Sequence, residues 1–153
     1  MKKLMLLMAA LLVAGFTYSQ TKEEVDLFQA AFGMEKKALV AENIKLEGAQ
    51  KDAFWTLYDE YEVTRKEYGK KRLELWTEYA KTYKTMTGEQ ADAWVKKVMD
   101  LQVSTDKLIR TYYNKIKKEI DPIVATQFYQ IENYIITAIR MEIQEEMPLI
   151  NEK

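Results

Sequence analysis

Two groups of acidic residues, Asp59-Glu60-Glu62 and Glu142-Glu145-Glu146, are the first candidates for chemistry in this chain of 153 residues. A pair of carboxylates can act as general acid and base, as in glycoside hydrolysis, when a pocket fixes their separation. No pattern in the sequence fixes such a pair, and solvated helix faces account for both groups. Metal chemistry has as little to work with. The chain has no cysteine and no histidine, so the usual zinc and copper ligand sets cannot be built. The Glu-x-x-His pairs of di-metal helical bundles are missing too. Without imidazole or thiol, Ser–His–Asp and Cys–His catalysis are excluded. Met34, Met86, Met99, Met141 and Met147 are scattered, which suits filling of a core or its rim better than a copper site. The sequence points to no enzyme, no metal and no cofactor.

What remains is the chemistry of recognition. Between Glu47 and Lys84, Phe54, Tyr58, Tyr61, Arg65, Tyr68, Arg72, Leu75 and Tyr79 recur at alternating steps of four and three, with Leu57 and Trp76 thickening the stripe. Tyrosine and arginine dominate binding hot spots, so Tyr61, Arg65, Tyr68, Arg72 and Tyr79 are the candidate partner-binding residues. The competing reading packs the same stripe against other helices of the chain. Arginines in a fully buried seam are costly, which favours partial exposure. Lys66, Lys70, Lys71, Arg72, Lys115, Lys117 and Lys118 form a second candidate set, a patch for acidic partners or anionic lipid heads. Glu62–Lys66 and Glu67–Lys71 have the spacing of ordinary solvated pairs along one helix.

The elements that must position these residues are all helical. The stripe has the period of a helix facing another helix, and strict alternation at two is absent. A helix from Glu47 to Lys84 would be about 55 Å long, against a diameter of about 36 Å for a compact ball made from the processed chain. The protein is therefore expected to be elongated, with part of its aromatic surface uncovered. Before this helix, Thr21 and Glu24 form a capping box that opens a helix from about 22 to 43, with Val25, Phe28, Phe32, Leu39 and Met34 as its apolar stripe. Thr87 and Gln90 form another box and open a helix from about 88 to 119, carrying Ala91, Trp94, Val98, Leu101, Thr105, Leu108, Tyr112 and Ile116. Asp121 as cap and Pro122 in the first turn open a fourth, from about 122 to 146, with Val124, Phe128, Ile131, Ile135, Ala138 and Ile139 inward. Gly69 is the one glycine inside the long helix and its expected weak point. The fold class is all-α: an elongated antiparallel four-helix layer with two long helices.

Residues 1–19 read as a cleaved signal peptide, with Lys2 and Lys3 ahead of an apolar run from Leu4 to Ala14 and a cut after Ser19. That run is about half of what a bilayer span needs, and residues 20–153 form a single domain with no integral span. The 23 basic side chains fall to 21 once Lys2 and Lys3 are removed, against 24 acidic ones. A net negative chain disfavours nucleic acid as partner.

Leu46-Glu47-Gly48-Ala49-Gln50 and Met86-Thr87-Gly88-Glu89-Gln90 resemble the LTxxQ repeat of the Spy/CpxP family, exported helical proteins of the bacterial envelope. Leu46 and Gln50 in the first copy, and Met86, Thr87 and Gln90 in the second, carry the likeness. Phe54-Trp55 followed by Tyr58-Asp59-Glu60-Tyr61 resembles the variant common in Bacteroidetes. Glu47 stands where the repeat has threonine, so a weaker cap is expected there. The resemblance implies a thin, curved four-helix fold that dimerises into a cradle in the periplasm. It implies a role in holding unfolded envelope proteins without ATP, or in docking onto the sensor domain of a stress or metal-response system. Metal resistance, a further role in the family, transfers worst because the histidines used for it are absent.

Overall fold

The structure, a computed structural model, describes residues 22–150, with side chains from Asp26 onward except that of Phe28. The expected leader over 1–19, the Thr21–Glu24 box and the Val25 and Phe28 side chains lie outside the described residues. Four helices follow one another: α1 Lys22–Asn43, α2 Gly48–Thr82, α3 Gly88–Glu119 and α4 Pro122–Glu146. No strand occurs among the described residues. The protein is all-α, and α2 and α3 are the long pair. At ~1.5 Å per residue α2 is about 52 Å long.

Local chemistry sets the breaks. Glu47 precedes α2 in extended backbone without a side-chain bond to the first turn. Gly48 then starts the helix at φ +54°, a left-handed conformation that costs other residues about 1–2 kcal/mol. At α3 the Thr87 hydroxyl accepts the Gln90 amide while the Gln90 side chain accepts the Thr87 amide, closing the box from both sides. Met86, just outside, is buried. At α4 one Asp121 oxygen accepts the amides of Ile123 and Val124, at 2.6 and 2.9 Å, and Pro122 fills the first turn, where its missing N–H loses nothing.

Each helix runs antiparallel to the one before it. On α1 and α2, Asp26 meets Lys70, Lys36 meets Glu62 and Lys37 meets Asp59. On α3 and α4, Asp106 meets Arg140 and Tyr113 meets Tyr129. Because α1 has 22 residues and α2 has 35, α1 accompanies only the first part of α2. Four helices therefore enclose one end of the molecule and three form the other.

The enclosed end holds the main core, which includes Val40, Ile44, Phe54, Tyr58, Tyr61, Ile116, Ala125 and Phe128. Its rings meet edge to face, as in Tyr61–Phe128 at 5.2 Å and Tyr61–Tyr112 at 5.5 Å, the arrangement that ring quadrupoles favour. At the open end Tyr79 stacks on Trp94 at 4.5 Å and Trp76 meets Trp94 edge-on at 5.0 Å. The Trp94 indole donates to the Leu75 carbonyl, and the Tyr79 hydroxyl donates to that of Pro148.

Gly69 does not break α2. A Cβ there would come within 2.9 Å of the Gln29 amide oxygen of α1, so its absence serves a close approach between helices. Met34, placed on the inward stripe of α1 by periodicity, is exposed. The inward face is instead Gln29, Phe32, Lys36 and Val40, at steps of three and four.

Candidate functional site

The five candidate recognition residues of α2 separate into two groups. Tyr61, Arg65 and Tyr79 are buried, at 0, 7 and 6 % exposure. They are engaged within the chain and, in this conformation, offer no surface to a partner. The physical reason for Tyr61 and Arg65 is the cover that α1, α3 and α4 provide over the first half of α2, and for Tyr79 the stacking on Trp94 and the bond to the Pro148 carbonyl. Tyr68 and Arg72 are half-buried and line a cleft between α2 and α4, so the structure does not bring the five together on one open face.

Burial of Arg65 is made tolerable by a cluster the sequence did not reveal. Lys36, fully buried, sits between two acids, with its Nζ 2.5 Å from Glu62 Oε1 and 2.8 Å from Glu132 Oε1. Arg65 Nε donates to the other Glu62 oxygen at 3.0 Å, and Arg65 Nη1 donates to the Gln29 amide oxygen at 3.3 Å. The Tyr61 hydroxyl donates to Glu132 Oε2 at 2.6 Å. Lys36 Nζ also lies 4.8 Å from the centre of the Tyr61 ring, within cation–π range. Charges removed from water in this way hold only when paired and hydrogen-bonded. Glu62, read from spacing as a solvated partner of Lys66, belongs to this cluster instead, and it is not part of a solvated acidic face. Asp59 and Glu60 do sit at the surface, paired with Lys37 and Lys115.

The basic set is also redistributed. Lys70 binds Asp26 and Lys115 binds Glu60, so these pairs link neighbouring helices. At such exposure water and salt screen both pairs, so they add little to stability.

The cluster alters its neighbours. Burial first, then the Glu132 and Glu62 carboxylates, push the Tyr58 and Tyr61 hydroxyls well above the ordinary tyrosine range. The Tyr58 hydroxyl is fully buried and has no hydrogen-bond partner among the described residues. Replacing Tyr58 by phenylalanine keeps the ring packing and removes a polar group stripped of water. Stability is expected to rise by about 1 kcal/mol, read as a higher urea midpoint with unchanged slope. A fall would mean that the hydroxyl has a partner in solution.

The cleft beside the cluster has a volume of about 80 Å³ and runs from Gln29 and Arg65 past Arg72 to Trp76 and Ile143. Burial, then Arg140 and Arg65 nearby, push the Arg72 guanidinium down to about 10, so it keeps its charge at neutral pH.

A second concavity lies between α3 and α4. It is an open groove of about 720 Å³ lined by Arg110, Tyr113, Tyr129 and Arg140 among others. On α3, Val95, Met99 and Val103 are exposed by 39, 61 and 66 %. Steps of three and four carry their line on through Asp106 and Arg110 to Tyr113, so all six share one helix face. That face flanks the buried stripe of Thr105, Ile109, Tyr112 and Ile116. Periodicity alone missed it because Val95, Met99 and Val103 stand beside a stronger stripe.

Among the described residues, no group of three acidic side chains is placed to hold a metal ion. No helix among them is long and apolar enough to cross a membrane. Comparison with protein-family models, curated proteins and solved structures found no match.

Proposed function

We propose that this protein is a non-enzymatic, nucleotide-independent holder of non-native or envelope partner proteins, of the Spy/CpxP type, exported to the periplasm and acting as a homodimer. The observation that carries this reading is the exposed face of α3. It sets Val95, Met99 and Val103 in line with a groove that presents Tyr113, Tyr129, Arg110 and Arg140. Aliphatic surface beside tyrosine and arginine is the composition of protein-binding sites. Solvated apolar residues without a deep pocket suit weak, reversible contact with many sequences. The LTxxQ-like segments, each at the start of a long helix, and the leader-like residues 1–19 support the family type and the compartment.

A denatured client diluted into buffer with equimolar protein tests the proposal by light scattering. Aggregation is expected to be suppressed, and Met99→Lys with Val103→Glu should weaken suppression several-fold while leaving the stability measured by urea unfolding within about 0.5 kcal/mol, as for exposed sites generally. No suppression by the unaltered protein would remove the holding function. Capture of one stoichiometric partner from envelope extract, rather than many, would favour a regulatory subunit.

A further inference from the structure

The outward face of α4 carries no charge. From Pro122 to Ile139 the only charged side chain is Glu132, which is buried, in a chain whose residues are 31 % charged. Ile123, Gln127, Gln130, Tyr134, Thr137 and Met141 follow one another at steps of four and three, so they share one line. That line lies opposite the buried stripe of Val124, Phe128, Ile135 and Ile143. Ile123, Tyr134 and Met141 are exposed by 72, 42 and 51 %. The exposed line on α3 is of another kind. There Val95, Met99 and Val103 stand among Asp92, Lys96, Asp100 and Lys107, all at the surface. Depletion of charge, with tyrosine and methionine retained, is the composition of an interface centre.

The α4 line also has a symmetry. Its six positions are spaced symmetrically about Glu132. An antiparallel second copy therefore sets Ile123 against the partner's Met141, Gln127 against the partner's Thr137 and Gln130 against the partner's Tyr134. A two-fold contact must be complementary to itself, and this one is. Its apolar ends meet each other, and in the middle an amide meets a phenol that both donates and accepts. No charge is trapped between them. We propose that a second copy of this chain docks here, α4 against α4 in antiparallel register. The inference rests on the homodimer of the proposed function and names its interface. Val95, Met99 and Val103, on α3, lie outside the seam. At about 27 Å long and one helix wide, the seam falls short of the ~800 Å² that each partner buries in a standard stable complex. The dimer is therefore expected to dissociate on dilution.

Sedimentation equilibrium of the protein over a range of concentrations provides the test. A monomer–dimer equilibrium is expected. Gln127→Glu with Thr137→Glu sets like charges against each other twice across the seam, and should weaken the dimer at least ten-fold. Gln127→Glu with Thr137→Lys sets opposite charges in the same places, and should dimerise at least as well as the parent. Urea unfolding of both double variants, expected to match the parent as for surface sites, separates lost association from lost folding. A monomer at every concentration, an undiminished dimer in the first variant, or equal weakening in both would overturn the proposal. A dimer broken by Met99→Lys with Val103→Glu and untouched by the α4 changes would overturn it in favour of a contact through α3. Light scattering with a denatured client keeps the two readings apart. Suppression that persists in a monomeric first variant leaves the holding function standing without this interface, and a dimer that suppresses nothing does the reverse.

Discussion

Lys36→Met is expected to lower the stability of the protein by about 3–5 kcal/mol, the scale of breaking a buried ion pair by removing one partner. Methionine retains most of the aliphatic stem, so the loss would come from Glu62 and Glu132. Lys36 Nζ lies between them, and without it two carboxylates face each other inside the core. Arg65 would still hold Glu62 and Tyr61 would still hold Glu132, which limits the damage to the bridging charge. Small domains are stable by roughly 5–15 kcal/mol in total, so about a fifth or more of the margin is at stake. Urea unfolding at neutral pH measures it. Adding Glu132→Gln should recover much of the loss, because one negative charge leaves with it while the Tyr61 hydroxyl keeps an acceptor. A single variant as stable as the parent would show that the cluster is solvated.

Alkaline solution is expected to unfold the protein, and the sign follows from the two buried hydroxyls. Tyr58 and Tyr61 keep their protons in the folded chain above the ordinary tyrosine value of 10.0, where the unfolded chain releases them. The folded state then binds more protons, so stability falls as pH rises past about 10. Each such group contributes about 1.4 kcal/mol per pH unit, hence roughly 3 kcal/mol for the pair. Lys70 and Lys115, raised by their bonds to Asp26 and Glu60, act in the same direction. Arg72, pushed down to about 10, opposes them, since the unfolded chain holds that proton more firmly. Two buried tyrosines outweigh one half-buried arginine. Urea midpoints should be level from about pH 7 to 9 and fall steeply beyond 10, with a shallower fall in Tyr58→Phe. A profile that stays level to pH 12 would contradict burial of both hydroxyls.

Helices were legible in this sequence because spacing and end chemistry are local. The α2 stripe from Phe54 to Tyr79 repeats with helical period, and the helix built on it spans Gly48–Thr82, against 47–84 expected. Which neighbours cover that stripe is not local. Tyr61 finds Glu132 across 71 residues and Lys36 finds Glu62 across 26, so pairing along one helix assigned Glu62 to the wrong lysine. A signal was nevertheless present. Lys36 falls four residues from both Phe32 and Val40, and Glu132 four from both Phe128 and Ile136. A charge on the apolar line of a helix is costly unless another helix answers it, and here α1 and α4 carry one each while α2 carries Glu62 and Arg65. The exposed line on α3 was hidden differently, since its aliphatic residues neighbour the buried stripe.

Gly69 gives these observations a mechanical sense. Where a glycine in a long helix suggests a hinge, here it is a socket, and the Gln29 amide occupies the space a methyl group would fill. The same amide steadies Arg65. A position of low helix propensity inside α2 is thus clamped from outside, and α2 runs unbroken through that turn with α1 lying alongside.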